Sequence, residues 1–162
     1  MSSNSNVTKQ TMTTPKPLSR SPLNLISHQF TSIIVRASEN EEPKGTFSLQ
    51  TTREVSEHET DEKRFLLVLS LTLGSANKDD DAPYSGELTI QGEFEVSPQY
   101  PSTARKNLVK VTGASMLYGA CREMLANLTA RSVHGMTSLP SVSFVEKTAK
   151  KAAAKVARKK EK

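Results

Sequence analysis

The chain has 162 residues and a formal net charge of +5, with 35% hydrophobic and only 5% aromatic residues. That is one domain's worth of chain, and without Trp its core must be built from Leu, Val, Ile and Met. The longest apolar run, Phe65–Leu69, excludes a membrane-spanning helix, and the single Cys121 excludes an intramolecular disulfide.

The lone thiol suits a reducing cytoplasm, where the protein is expected to reside. Met1 is followed by a polar run without an apolar core, so no signal peptide is expected. The charge is unevenly divided: residues 1–29 carry +3, residues 145–162 carry +6, and residues 30–144 carry −4. Nucleic-acid binding argued from the net charge would therefore rest on the ends alone.

Residues 1–27 are rich in Ser, Thr, Asn and Pro, lack periodicity, and are expected to form a disordered polar and basic arm. Leu23, Leu25 and Ile26 at its end could dock on the body. Four strands are expected next. Residues 30–37 are β-branched and apolar, and residues 46–55 alternate, with Phe47 and Leu49 on one side. In residues 64–73, Phe65, Leu67, Leu69, Leu71 and Leu73 share a face, while Leu66 and Val68 mark the most buried strand. In residues 84–97, Tyr84, Leu88, Ile90, Phe94 and Val96 alternate with Glu87, Thr89, Gln91, Glu93 and Glu95. Polar links between the strands make the sheet antiparallel.

A helix is expected over 113–131, with Thr112 as its N-cap. Ala114, Leu117, Tyr118, Cys121, Leu125 and Leu128 form one stripe, and Met116, Ala120 and Met124 form a second apolar row. The second row predicts a subunit interface. Residues 132–140 read as an apolar loop, and residues 145–162 as a second helix with a basic end. The fold class is thus α+β, with a four-stranded antiparallel sheet followed by two helices. Strands of about 45 Å, four abreast, span about 19 Å, and a helix of roughly 28 Å cannot cover that face. Further cover must come from another subunit, the C-terminal helix or a bound client.

The run from Thr112 to Phe144 resembles the SecB family of molecular chaperones, the homotetrameric holdases of bacterial protein export. Arg122-Glu123 on the helix, Arg131 nine positions on, and Leu139-Pro140-Ser141-Val142-Ser143-Phe144 closing thirteen positions after Arg131 carry the likeness. It extends in strand layout over residues 30–144, and the SecB-like domain is expected over 28–148, with 149–162 as a basic end. The resemblance implies a dimer of dimers without enzymatic activity or cofactor, which binds unfolded or nascent polypeptides in hydrophobic grooves. By the same resemblance, client binding is carried to Val133, His134, Met136, Leu139, Val142 and Phe144, and also to Phe47 and Leu49. The alternative for these loop residues is simple packing on the sheet. Ser132, His134 and Gly135 depart from the family's usual Gly, aromatic and Pro.

Other groups read as structural. Cys121 lies on the apolar stripe, where burial makes a thiol inert. His58, between Glu57 and Glu59, lacks a partner at metal-ligand spacing, and Asp79-Asp80-Asp81 lacks the spacing of a calcium loop. No nucleophile elbow, Walker loop or dinucleotide fingerprint is present. The family docks on the export motor SecA partly through acidic residues on the exposed sheet face, two on the first strand and one on the fourth. Alignment puts Ile33 and Ala37 at the first-strand positions and keeps Glu87 on the fourth, so SecA binding is expected to be weak or absent. Two rivals stand beside the general holdase: a SecB-like chaperone dedicated to the antitoxin of a toxin–antitoxin pair, and a nucleic-acid-associated oligomer acting through its basic ends. Neither nucleic acid as the main partner nor membrane insertion is expected.

Overall fold

The computed structural model describes residues 19–76 and 81–145. Strands β1 (Leu23–Ala37), β2 (Phe47–Glu57), β3 (Arg64–Ser75) and β4 (Tyr84–Val96) form one antiparallel sheet in the order β1-β4-β3-β2. The strong alternation of β3 and β4 places them at its centre. Phe65 faces Phe94, Leu69 faces Ile90, and Leu71 faces Leu88, all buried on one side. Glu87, Thr89, Gln91 and Glu93 fall on the opposite, open side.

The first two strands occupy the two edges, so the link from Ser38 to Thr46 crosses the end of the sheet. Ser38 N donates to the Pro83 carbonyl and Gly45 N to the Asp81 carbonyl, each bond close to 3 Å. The Ser38 hydroxyl meets the Asp81 carboxylate at 2.7 Å. Asp81 therefore ties this crossing link; Asp79 and Asp80 lie outside the described residues.

Strand β1 starts at Leu23, well before the expected Phe30, so Leu23–Ser27 belong to the sheet rather than to an arm. Its register shifts between Leu25 and Ser27 and again between Phe30 and Ser32. Each extra residue reverses the alternation. After the second shift Ile33 pairs with Leu88 and Ala37 with Tyr84, on the helix side of the sheet. This corrects the alignment that set Ile33 and Ala37 on the open face with Glu87. The residue opposite Glu87 is Ile34.

The helical stretch is also longer than expected. α1 (Ser102–Leu108) runs through a π-helical turn (Val109–Gly113) into α2 (Ala114–Thr129). Thr112 therefore lies inside the turn and does not cap a helix. At about 1.5 Å per residue the whole element spans roughly 40 Å, most of the length of the sheet. Gly113 allows helix and sheet a close approach. A Cβ there would lie 3.2 Å from the Phe94 ring and 3.3 Å from Leu67. Arg105, buried at the start of the helix, donates to the Tyr100 and Pro98 carbonyls at 3.2 Å and to Glu62 at 3.1 Å. It thereby fixes the turn from β4 into α1.

After Thr129 the chain turns at Gly135, whose φ of 75° favours glycine, and runs back along α2 from Thr137 to Phe144. The second helix expected over the tail lies outside the described residues from position 146 on. No helix among the described residues is long and apolar enough to cross a membrane.

Candidate functional site

The helix divides the apolar face of the sheet into two flanks. On the β2 flank lies the returning strap, Thr137–Phe144. Its first end is pinned by Thr129, whose buried hydroxyl accepts from Thr137 N at 2.9 Å. Further along, Arg122 Nε donates to the Leu139 carbonyl at 3.1 Å and the Tyr118 hydroxyl to the Pro140 carbonyl at 2.6 Å. At its far end Arg53 on β2 donates to the Phe144 carbonyl at 3.0 Å and to the Lys110 carbonyl in the π-helical turn at 3.1 Å. The Arg53 guanidinium also stands 5.2 Å from the centre of the Phe144 ring, which meets Tyr118 edge-on.

The residues expected to bind a client are therefore spread along about the length of α2 rather than gathered in one patch. Leu139 and Phe144 are 3% and 6% exposed and belong to the core, whereas Val133 and Met136 are 82% and 69% exposed. His134 donates from Nε2 to the Ser38 carbonyl at 2.9 Å and packs edge-on against Tyr84, whose hydroxyl bonds the Gly135 carbonyl. Val142 is exposed on the outer side of the strap, beside a cavity of about 170 Å³ lined by Ser115, Tyr118, Gly119, Arg122, Ser141 and Phe144. Phe47 and Leu49 are half-buried on the helix side of β2, paired with Ser75 and Leu73.

On the β1 flank there is no strap among the described residues. Ile33 and Leu128 are exposed there, beside a gap of about 270 Å³ that also touches Val35, Tyr84 and Thr129. Leu128 is an apolar group that the stripe assigns to the core. Its exposure goes with the open gap between the helix end and Ile33, Val35 and Ala37 of β1. On the outward side of α2, Met116 is exposed and Ala120 and Met124 are half-buried. A side chain at Gly119 would meet nothing within 4 Å.

Buried groups around the helix have shifted proton affinities. Burial pushes the Cys121 thiol up to about 12. Burial also raises the Tyr118 hydroxyl, an effect opposed by the nearby Arg122 charge. Both therefore stay neutral at physiological pH. His58 caps its own hairpin by accepting at Nδ1 from Thr60 N at 3.3 Å. Glu87 is exposed on the open face, within reach of the Thr89 hydroxyl.

No protein-family model matches the chain, and no curated protein matches it in sequence. Among solved structures, the fold is similar to that of the Mycobacterium tuberculosis SecB-like chaperone Rv1957, determined in complex with a ChAD peptide from the Rv1956 HigA1 antitoxin. The TM-score is 0.57 at 18% identity, covering 75% of this chain and 91% of that chain. A protein of unknown function from Streptococcus agalactiae aligns with a TM-score of 0.43 and 15% identity, over 74% and 97% of the two chains. The four-stranded antiparallel sheet with its long helix is thus a SecB-like fold.

Proposed function

We propose that this protein is an ATP-independent chaperone that holds unfolded or nascent polypeptides on the apolar flanks of its helix. The observation that carries the reading is the SecB-like fold, shared with a chaperone whose structure contains a peptide. The exposed Val133 and Met136 support it, since a flexible thioether adapts to varied side chains. Four subunits arranged as a dimer of dimers would cover Met116, Ala120 and Met124. Protein export is a proposed setting, with weak or absent docking on SecA. Glu87 faces the open side beside an apolar Ile34 rather than a carboxylate on β1.

A second reading narrows the client to the antitoxin of a toxin–antitoxin pair. It is favoured by the antitoxin peptide in the Rv1957 complex.

The test is suppression of aggregation of a chemically unfolded protein, without nucleotide, by the parent and by Val133→Asp with Met136→Asp. Both side chains are exposed, so the fold should survive, whereas charges at the lip would have to be desolvated on client binding. Parent activity that is lost in the double variant supports the reading. No suppression by the parent removes it. Raising salt separates the nucleic-acid alternative, because phosphate binding weakens steeply with salt while apolar holding persists.

A further inference from the structure

The strap is built as a bound peptide would be. Arg122, Tyr118 and Arg53 each donate to one of its main-chain carbonyls, those of Leu139, Pro140 and Phe144. Donors aimed at carbonyls hold a backbone without regard to its side chains, which is the chemistry of a channel for extended polypeptide. Two side chains five positions apart, Leu139 and Phe144, are buried as anchors, while Pro140 to Ser143 between them are exposed. Beside that exposed middle, an open cavity of about 170 Å³ is lined by Ser141, Val142 and Phe144 of the strap and by Ser115, Gly119 and Arg122 of the helix. Among the described residues, no backbone-to-backbone hydrogen bond joins Ser138–Phe144 to a strand or helix. The segment is thus held at two points and by three side chains, not by a ladder. Segments of this kind open at lower cost than the strands beneath them.

We infer that residues 138–144 are a built-in pseudo-client, an extended piece of the chain that occupies a peptide channel between α2 and β2 and yields it to a client of the same pattern. The client is an extended polypeptide with an aliphatic side chain and, about 16 Å on, an aromatic one, held through its carbonyls by Arg122, Tyr118 and Arg53. This deepens the chaperone reading and rests on it. It assigns to Leu139 and Phe144 the role of occupying client pockets rather than lining them.

The probe is a fluorescein-labelled peptide of residues 138–145, SLPSVSFV, with a control in which its Leu and Phe are both Ser. The full chain carrying Leu139→Ser and Phe144→Ser should bind the probe at least tenfold more tightly than the parent, and neither should bind the control. Amide exchange on the parent, which needs no variant to fold, is the second measurement. Saturating probe should speed exchange at 138–145 and leave β3 and β4 unchanged. Equal or weaker probe binding by a folded variant overturns the proposal, as does unchanged or slower exchange of the strap in the parent. The two readings fail separately. If unfolded polypeptides are held while strap exchange stays fixed, displacement is wrong and the chaperone stands. If the probe displaces the strap but no unfolded polypeptide is held, the channel is real and the chaperone reading falls.

Discussion

Arg53 joins three parts of the molecule that are distant in sequence: strand β2, the π-helical turn through Lys110, and the strap through Phe144. Replacing it with Leu leaves two carbonyls without this donor and should cost about 2–3 kcal/mol, read as a lower denaturant midpoint. Arg53 falls on the apolar side of β2, opposite Leu69, but its partners lie far along the chain and cannot be read from the alternation. Cys121 was legible, since its place on the helical stripe signals burial and the structure buries it fully. Its thiol should resist alkylation at pH 8 in the native protein and react at once on unfolding. Its affinity for the proton is raised from 9.0 to about 12 in the fold. The stability it contributes is complete below pH 9 and should be lost as pH rises towards 12, an alkaline decline that Cys121→Ala removes. Leu139 and Val133 read alike in sequence as apolar loop residues. Only the path of the strap, set by Thr129, Arg122 and Tyr118, buries one and exposes the other.

Among the elements, β3 and β4 follow directly from period-two alternation, and the structure has them within a residue or two of their expected ends. Strand β1 was harder because two bulges reverse its phase, so no single alternation runs from Leu23 to Ala37. The later part of the helix, α2, was legible from its stripe, but α1 was hidden for a related reason. A π-helical turn adds a residue to the repeat, and Thr112 within it resembles an N-cap. The requirement at Gly113 is space, and Gly113→Val tests that. The added side chain would press on Phe94 and Leu67, and overpacking of this kind costs on the order of 1–3 kcal/mol, measurable by thermal unfolding. If Gly113→Val is as stable as the parent, the close approach of helix to sheet is not a constraint.

Taken whole, the subunit leaves apolar groups exposed on the outer side of α2 at Met116, on the β1 flank at Ile33 and Leu128, on the open sheet face at Ile34 and Leu66, and in the loop at Val133 and Met136. The longer helix and the strap cover more of the sheet than the expected short helix could, yet not the β1 flank. Assembly through the helix row should give a tetramer in light scattering at micromolar concentration, and Met116→Lys with Ala120→Glu should reduce it to smaller species. A stable parent monomer would contradict the assembly.

The strand order also constrains how the chain comes into being. Neighbouring hairpins join β2 to β3 and β3 to β4, so these three strands can pair as soon as they are made. β1, the first to be synthesised, has its only described partner in β4, where Leu23 meets Val96 and Ala37 meets Tyr84. Until most of the protein has left the ribosome, Phe30, Ile33, Ile34 and Val35 have no strand to join. Closing that long loop is the slow entropic step, which makes docking of β1 the late event in folding. During translation the nascent subunit therefore displays an apolar segment of its own, one that no part of the chain yet made can cover.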